Sequence, residues 1–242
     1  MLRFVDKHLL WSIIDSGLAS NVPPHPAGWH LKSIQDIVAY SYLHGRNGMT
    51  IGEIGGGTSR LLPVLARTNK CFNIEKFEGR GQGPTREHVI PGVKTVPAYV
   101  GESQGIIEDE FFDVIISISV VEHVPDKSLP DFYKDCRRIL KRNGLMVHLI
   151  DVYIDDDRDG AWHRRTQSRV EHYRQPFVDS IFKSPDGDNF LLGPDDLRFS
   201  CSFATNPDSF MERWNRSVPK LRPRREVSQC CSLLQVGLAE RP

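Results

Sequence analysis

No stretch of this sequence carries the roughly 20 consecutive apolar residues that a bilayer-spanning helix requires, so no membrane segment is expected. Charge of one sign is also missing. The 31 Lys and Arg residues balance 31 Asp and Glu, which removes any general pull toward nucleic acid or an anionic membrane surface. There is no C-x-x-C pair. Five cysteines (Cys71, Cys136, Cys201, Cys230, Cys231) fit buried thiols in a reducing compartment better than a disulfide framework or a zinc site, and no metal is expected. Near the N-terminus the apolar stretch Leu9 to Ile14 is too short for an export signal and is flanked by Asp6 and Asp15. Repeats and low-complexity tracts are absent as well. The expectation is a cytoplasmic, water-soluble protein.

What is present is an alternation of helical and strand periodicity along most of the 242 residues. After a Pro- and His-rich stretch, Leu31 to Leu43 spaces Leu31, Ile34, Ile37, Val38 and Tyr42 as the inner face of a helix. Thr50 to Ile54 and Cys71 to Ile74 are short apolar strands, with a helix predicted over Ser59 to Ala66 between them. Glycine and proline then punctuate a loop from Gly79 to Gly92, followed by a weakly alternating strand, Val93 to Val100. Asp113 to Ser119 is rich in Val and Ile, as a central parallel strand covered on both faces would be. Leu129 to Leu140 is a helix that Asn143-Gly144 would stop, and Leu145 to Ile150 is the next strand. Charge and histidine between Asp155 and Arg174 predict insertion and loops there. Phe199 to Phe203 and Cys230 to Val236 look like closing strands, with a helix over about Pro207 to Ser217 between them.

This order predicts one doubly wound α/β domain with a Rossmann-like, seven-stranded sheet, mostly parallel with an antiparallel last strand, and helices on both faces. Residues 1–45 would form N-terminal cap helices, 46–151 a cofactor-binding core, and 152–242 an acceptor lid with the closing strands. Ligands are expected at the carboxyl ends of the strands.

The segment Gly52-Glu53-Ile54-Gly55-Gly56-Gly57-Thr58-Ser59 runs from a strand through a triple-glycine turn into a helix. Glycines let backbone pass close to a ligand, and the helix start offers free N–H groups. A dinucleotide fingerprint needs glycine where Arg60 stands, and no Gly-Lys-Ser/Thr follows for a P-loop. The acid Glu53 suits a ligand with an ammonium group and would repel a pyrophosphate. Here the chain resembles the class I S-adenosylmethionine-dependent methyltransferases, whose first motif is an acid followed by a glycine-rich turn. Glu75 at the end of the second strand, Gly101-Glu102-Ser103 after the third, and Phe112-Asp113-Val114-Ile115-Ile116 with Ser119 to Val124 are similar to later motifs of that family, in its order. Arg138 to Gly144 resembles its helix-to-strand turn. The departures are Ser59, where a third spaced glycine is common, and Asn143, where Pro or Gly is usual.

The resemblance implies S-adenosyl-L-methionine as cofactor, with S-adenosylhomocysteine as product. It assigns cofactor contacts to Glu53, Gly55, Gly56, Gly57, Ser59, Glu75, Lys76, Glu102, Ser103 and Ser119. Glu75 would accept the ribose hydroxyls, and Glu102-Ser103 would meet the adenine amino group. Candidate bases for deprotonating an acceptor are Glu122, His123, His148, Asp151, His163 and His172. His123 and Asp151 are preferred, because the ends of the fourth and fifth strands would aim them at the pocket. Asp155-Asp156-Asp157 reads either as a cation ligand set with Asp151 or as a solvated loop. Aromatic and basic groups at Trp29-His30, Trp162 to Arg165, Arg169 and His172 to Arg174 suggest a polar small-molecule acceptor, such as a sugar hydroxyl. The basic run Arg213 to Arg225 lacks interleaved aromatics, and nucleic acid is not expected as a partner. A cofactor-binding module without transfer activity and an RNA or protein methyltransferase are the alternatives.

Overall fold

The computed structural model describes residues 1–5, 7–23, 31–80, 83–155, 161–180, 182–183 and 228–240. Eight strands and five helices occur among them: β1 Leu2–Phe4, α1 Lys7–Asp15, α2 Leu31–Leu43, β2 Thr50–Ile54, α3 Leu62–Leu65, β3 Lys70–Ile74, β4 Val93–Val96, β5 Phe112–Ile118, α4 Leu129–Ile139, β6 Leu140–Asp155, α5 Ala161–Asp179, β7 Phe182–Lys183 and β8 Ser228–Ala239. Seven strands form a sheet in the order β1-β8-β6-β5-β2-β3-β4, with the two-residue β7 paired to β8. The pairings from β4 through β6 are all parallel, while β8 runs antiparallel to β6, β1 and β7. This is the doubly wound, Rossmann-like α/β arrangement expected. No described helix is long and apolar enough to cross a membrane.

Side-chain alternation shows how the helices cover both faces. On β6, His148 contacts Cys136 and Phe132 of α4, whereas Asp151, three residues on, takes a hydrogen bond from Gln35 of α2. Their register partners on β8 repeat the division: Gln235 accepts from Tyr133 of α4, and Ser232 accepts from Gln35. Odd spacing on a strand reverses the face, so α2 and α4 lie on opposite sides. Central β5 buries Val114, Ile115 and Ile116 completely or nearly so, as a strand covered on both faces must. Asp113 pins the amino ends of three strands, accepting from the Thr50 N–H at 2.7 Å and from Lys141 Nζ at 2.8 Å. Because the chain leaves β2 toward β3 and β4 and returns to add β5 and β6 on the other side, the order reverses between β2 and β5. A crevice opens at such a point.

Several boundaries differ from the sequence reading. The helix expected over Ser59–Ala66 shrinks to Leu62–Leu65, because Ser59 stays outside it and its Oγ accepts the N–H groups of Leu61 and Leu62. The third-strand segment stops at Val96 rather than Val100. Residues 161–179, expected as insertion and loops, form the helix α5, with Val170 and Phe177 buried. Its high charge density masked its sparse apolar stripe. Asn143 does not stop α4; that helix ends at Ile139, and Leu140 after it is already extended. Asn143 takes the left-handed conformation instead, at φ +59°, within the irregular pairing between Phe112 and Val114 that leads into β6. The N-terminal region contributes a strand as well as helices: β1 pairs with Leu233–Gln235, and the terminal ammonium donates to the Val236 carbonyl at 2.6 Å. The strand expected at Phe199–Phe203 and the helix at Pro207–Ser217 lie outside the described residues.

Candidate active site

The carboxyl ends of β2, β3 and β5 open into a cavity of 540 Å³. Its floor is the turn after β2. Gly55 has φ +65°, and a Cβ there would lie 2.6 Å from Val120 Cγ2. At Gly56 a Cβ would lie 2.7 Å from Asn73 Oδ1, a buried oxygen that accepts no hydrogen bond. Backbone is held in close contact with side chains on both sides, so only glycine fits either position. Gly57 is also left-handed but does not line the cavity; its carbonyl accepts from Asn73 Nδ2 at 3.1 Å.

Glu53, next to last in β2, lines the cavity and is 4% exposed. Burial pushes its carboxyl up to about 8, with the neighbouring Asp36 charge adding to the rise and the Ser59 hydrogen bond opposing it. Ser59 Oγ donates to Glu53 Oε2 at 2.5 Å while accepting the N–H groups of Leu61 and Leu62. The serine that departs from the family's glycine thus fixes the acid of the motif. Glu75 also lines the cavity, with Oε1 accepting the Phe77 N–H at 3.1 Å. Glu102 reaches the rim as an exposed carboxylate paired with Arg80 at 3.0 Å.

Two expected cofactor contacts stand behind the wall. Ser103 is fully buried, and its Oγ donates to Asp135 Oδ2 at 2.5 Å. The same carboxylate oxygen accepts the N–H groups of Gly101 at 2.7 Å and Ser103 at 3.2 Å, and Arg138 closes the group. Ser103 therefore shapes the acidic loop from below. Lys76 lies outside the lining with its Nζ 5.0 Å from the Tyr99 ring centre, while Arg80 covers the same ring at 4.7 Å. Tyr99 itself lines the cavity.

At the other end α2 supplies Lys32 and Asp36 to the lining, and the glycine turn supplies Arg60. Arg60 Nε donates to Asp36 Oδ2 at 2.8 Å, and the Asp36 carboxyl is raised by burial to about 6 despite that guanidinium. Ser119, at φ +54°, lines the cavity and donates to Gln35 Oε1 or Asp151 Oδ1, at 3.0 and 2.7 Å. Asp151 lies one shell out, held by Ser119 and by Gln35 Nε2 at 2.7 Å. His123 is exposed on the lining, and desolvation holds its imidazole below the ordinary value.

Sequence reading missed Lys32, Gln35, Asp36, Arg60, Tyr99 and Asp135. A signal existed for one pair: Gln35 and Asp36 sit between the inward residues Ile34 and Ile37, so the helix cannot turn both to solvent.

The remaining candidate bases separate. His148 is fully buried, bonded to Ser117 Oγ at 2.6 Å, and burial pushes it down to about 3, so it is a packing residue. His172 on α5 pairs with Asp126 at 3.1 Å. The His163 side chain, Trp29-His30, the side chains of Trp162 to Arg165 and Arg169, Asp156-Asp157 and the basic run Arg213 to Arg225 lie outside the described residues. Among the described residues, no group of three or more His, Cys, Asp or Glu side chains could hold a metal ion.

A family model described as a methyltransferase domain matches residues 53–148. No curated protein matches the sequence. Among solved structures, phosphoethanolamine N-methyltransferase 2 from Haemonchus contortus superposes with TM-score 0.54 at 10% identity, over 88% of this chain and 53% of that one. Geranyl diphosphate C-methyltransferase from Streptomyces coelicolor gives TM-score 0.53 at 13% identity, over 86% of this chain and 79% of its own. Both structures hold S-adenosylhomocysteine. At these identities the two share a fold with this chain. The glycine turn and its acids, Glu53, Glu75 and Glu102, fall inside the segment 53–148 that matches the methyltransferase-domain model.

Proposed function

We propose that the cavity binds S-adenosyl-L-methionine and that the enzyme passes its methyl group to a hydroxyl or amine of a small molecule. The observation that carries this reading is one cavity uniting Glu53, the Gly55-Gly56 floor, Glu75 and Glu102 with His123 and the Ser119 end. Glycine backbone leaves room for the ligand where a Cβ would not, and three acids ring a space suited to an ammonium group and two sugar hydroxyls. When bound, the sulfonium supplies an electrophilic methyl group, so the protein's task is alignment and proton removal.

In this reading Glu53 faces the ligand's ammonium group, Glu75 accepts the ribose hydroxyls, and Glu102 borders the adenine. Ser103 and Lys76 act as positioning residues, through Asp135 and Tyr99. His123 is the proton acceptor: its lowered pKa keeps it neutral near pH 7, with a lone pair available. Asp151 positions Ser119 and Gln35 at the acceptor end. Residues 1–242 form one domain, in which 152–242 carries the acceptor lid.

The test is calorimetric titration with S-adenosylhomocysteine beside NAD, on the wild type and on Glu75→Ala. Micromolar binding of the first ligand alone is expected, weakened about tenfold in the variant by loss of charge-assisted hydrogen bonds. Absence of binding, or a preference for NAD, refutes the reading.

A further inference from the structure

Among the described residues, Lys32, Arg60 and Arg80 are the lysine and arginine side chains that line the cavity. Arg80 stands at the rim, over the Tyr99 ring and paired with Glu102. Arg60 stands at the opposite end, where its charge and that of Asp36 both act on the Glu53 carboxyl. Asp36 occupies only one edge of the Arg60 guanidinium, because Nε and Nη2 meet the same oxygen, Oδ2, at 2.8 and 2.5 Å. A guanidinium presents its N–H donors as a planar fork, so the edge between Nη1 and Nη2 is left over. Nη1 has no partner among the described residues and is not shut off from solvent.

The glycine turn gives an anion few other donors. Ordinarily the free N–H groups where such a turn enters a helix receive one. Here the N–H groups of Leu61 and Leu62 are taken by Ser59 Oγ, and that of Gly55 by the Ile74 carbonyl. The serine that holds Glu53 therefore spends those donors, and the next residue along, Arg60, carries free ones. Glu122 and Asp151 do not line the cavity, and burial holds the Glu122 carboxyl well above the usual range. The acids that a ligand meets at this end are Glu53 and Asp36, and Asp36 is already matched by Arg60.

We propose that Arg60 binds the carboxylate of the cofactor's amino-acid end, through the guanidinium edge that Asp36 leaves free, while Glu53 takes the ammonium group of the same end. This rests on the methyltransferase reading and adds to it the residue that tells a complete amino-acid end from a bare amine. The ammonium and carboxylate of an amino acid hang from one carbon atom. A ligand with its ammonium at Glu53 must therefore set its carboxylate among the neighbours of Glu53, and Arg60 is the neighbour whose planar fork matches a carboxylate. Arg60 is a binding residue; Asp36 holds its guanidinium in place.

The test is a cycle between ligand and protein, read by calorimetry. Wild type, Arg60→Met, Lys32→Met and the double variant Asp36→Asn with Arg60→Met are each titrated with S-adenosylhomocysteine, with its decarboxylated analogue, and with methylthioadenosine, which lacks the amino-acid chain. Wild type is expected to prefer S-adenosylhomocysteine to the decarboxylated analogue by about tenfold or more, as a charge-assisted pair would give. In Arg60→Met and in the double variant the preference should fall below about twofold, through weaker binding of S-adenosylhomocysteine. The double variant removes the cation together with its counterion, so a loss there does not come from an Asp36 carboxylate left unpaired. Methylthioadenosine should bind all the proteins alike, which verifies their fold and their adenosine end. No preference in the wild type, a preference kept in either Arg60 variant, a loss confined to Lys32→Met, or methylthioadenosine binding lost along with Arg60 overturns the proposal and leaves the cofactor reading standing. Failure of S-adenosylhomocysteine to bind the wild type overturns the methyltransferase reading, and the proposal with it.

Discussion

Glu53→Gln is expected to make the unliganded protein more stable, by an amount that grows with pH. The carboxyl is raised from the ordinary 4.5 to about 8, chiefly by burial. Between those values the folded protein holds a proton that the unfolded chain has released, so stability falls as pH rises from 4.5 toward 8. At pH 7 the gap is 2.5 pH units at 1.36 kcal/mol each, about 3 kcal/mol, and above pH 8 it levels off near about 5. Glutamine keeps the volume and an oxygen that can accept from Ser59 Oγ, but has nothing to titrate. Urea unfolding of both proteins from pH 4.5 to 8.5 measures the difference, in which the slopes from Asp36 and Glu122 largely cancel. The two should be nearly equal at pH 4.5, with the variant ahead by a few kcal/mol at pH 7. The same variant should bind S-adenosylhomocysteine more weakly, because the charge that meets the ligand's ammonium group is gone. Parallel pH profiles for the two proteins would refute the account, since they would mean that Glu53 has the same pKa folded and unfolded.

Asp135→Asn removes the buried negative charge that gathers the Gly101 and Ser103 N–H groups, Ser103 Oγ and Arg138. It should cost about 3 kcal/mol and lower the melting temperature by about 10 °C, and the slackened acidic loop should weaken S-adenosylhomocysteine about tenfold. A variant that melts with the wild type would show the group to be dispensable. Gly55→Ala sets a Cβ 2.6 Å from Val120 Cγ2 at a left-handed position. It is expected to cost about 2 kcal/mol or more in denaturant unfolding and to lose measurable cofactor binding in calorimetry; wild-type affinity would mean that the turn does not approach the ligand.

The parts of the fold legible in the sequence are those where one period dominates. The segment Leu31 to Leu43 repeats apolar residues at helical spacing, and α2 has those bounds. Likewise β5 is rich in Val and Ile, and its centre buries on both faces. Elements whose packing is sparse or borrowed were hidden. Helix α5 has 19 residues, many of them charged, and among its described side chains Val170 and Phe177 are buried. Strand β1 is three residues long and is a strand because the edge of β8 offers it partners. No local pattern encodes that.

The site divides along the same line. Glu53 and Glu75 were legible because they stand at the carboxyl ends of β2 and β3, and strand ends in a doubly wound sheet face one crevice, while Glu102 stands in the loop that follows β4. What the spacing could not reveal is which neighbour each side chain chooses. Ser103 and Glu102 are adjacent, yet one turns inward to Asp135 on α4 and the other outward to Arg80. Arg60 marks the absence of a glycine in the motif, but in three dimensions it neutralises Asp36 on a helix that begins 29 positions earlier in the chain.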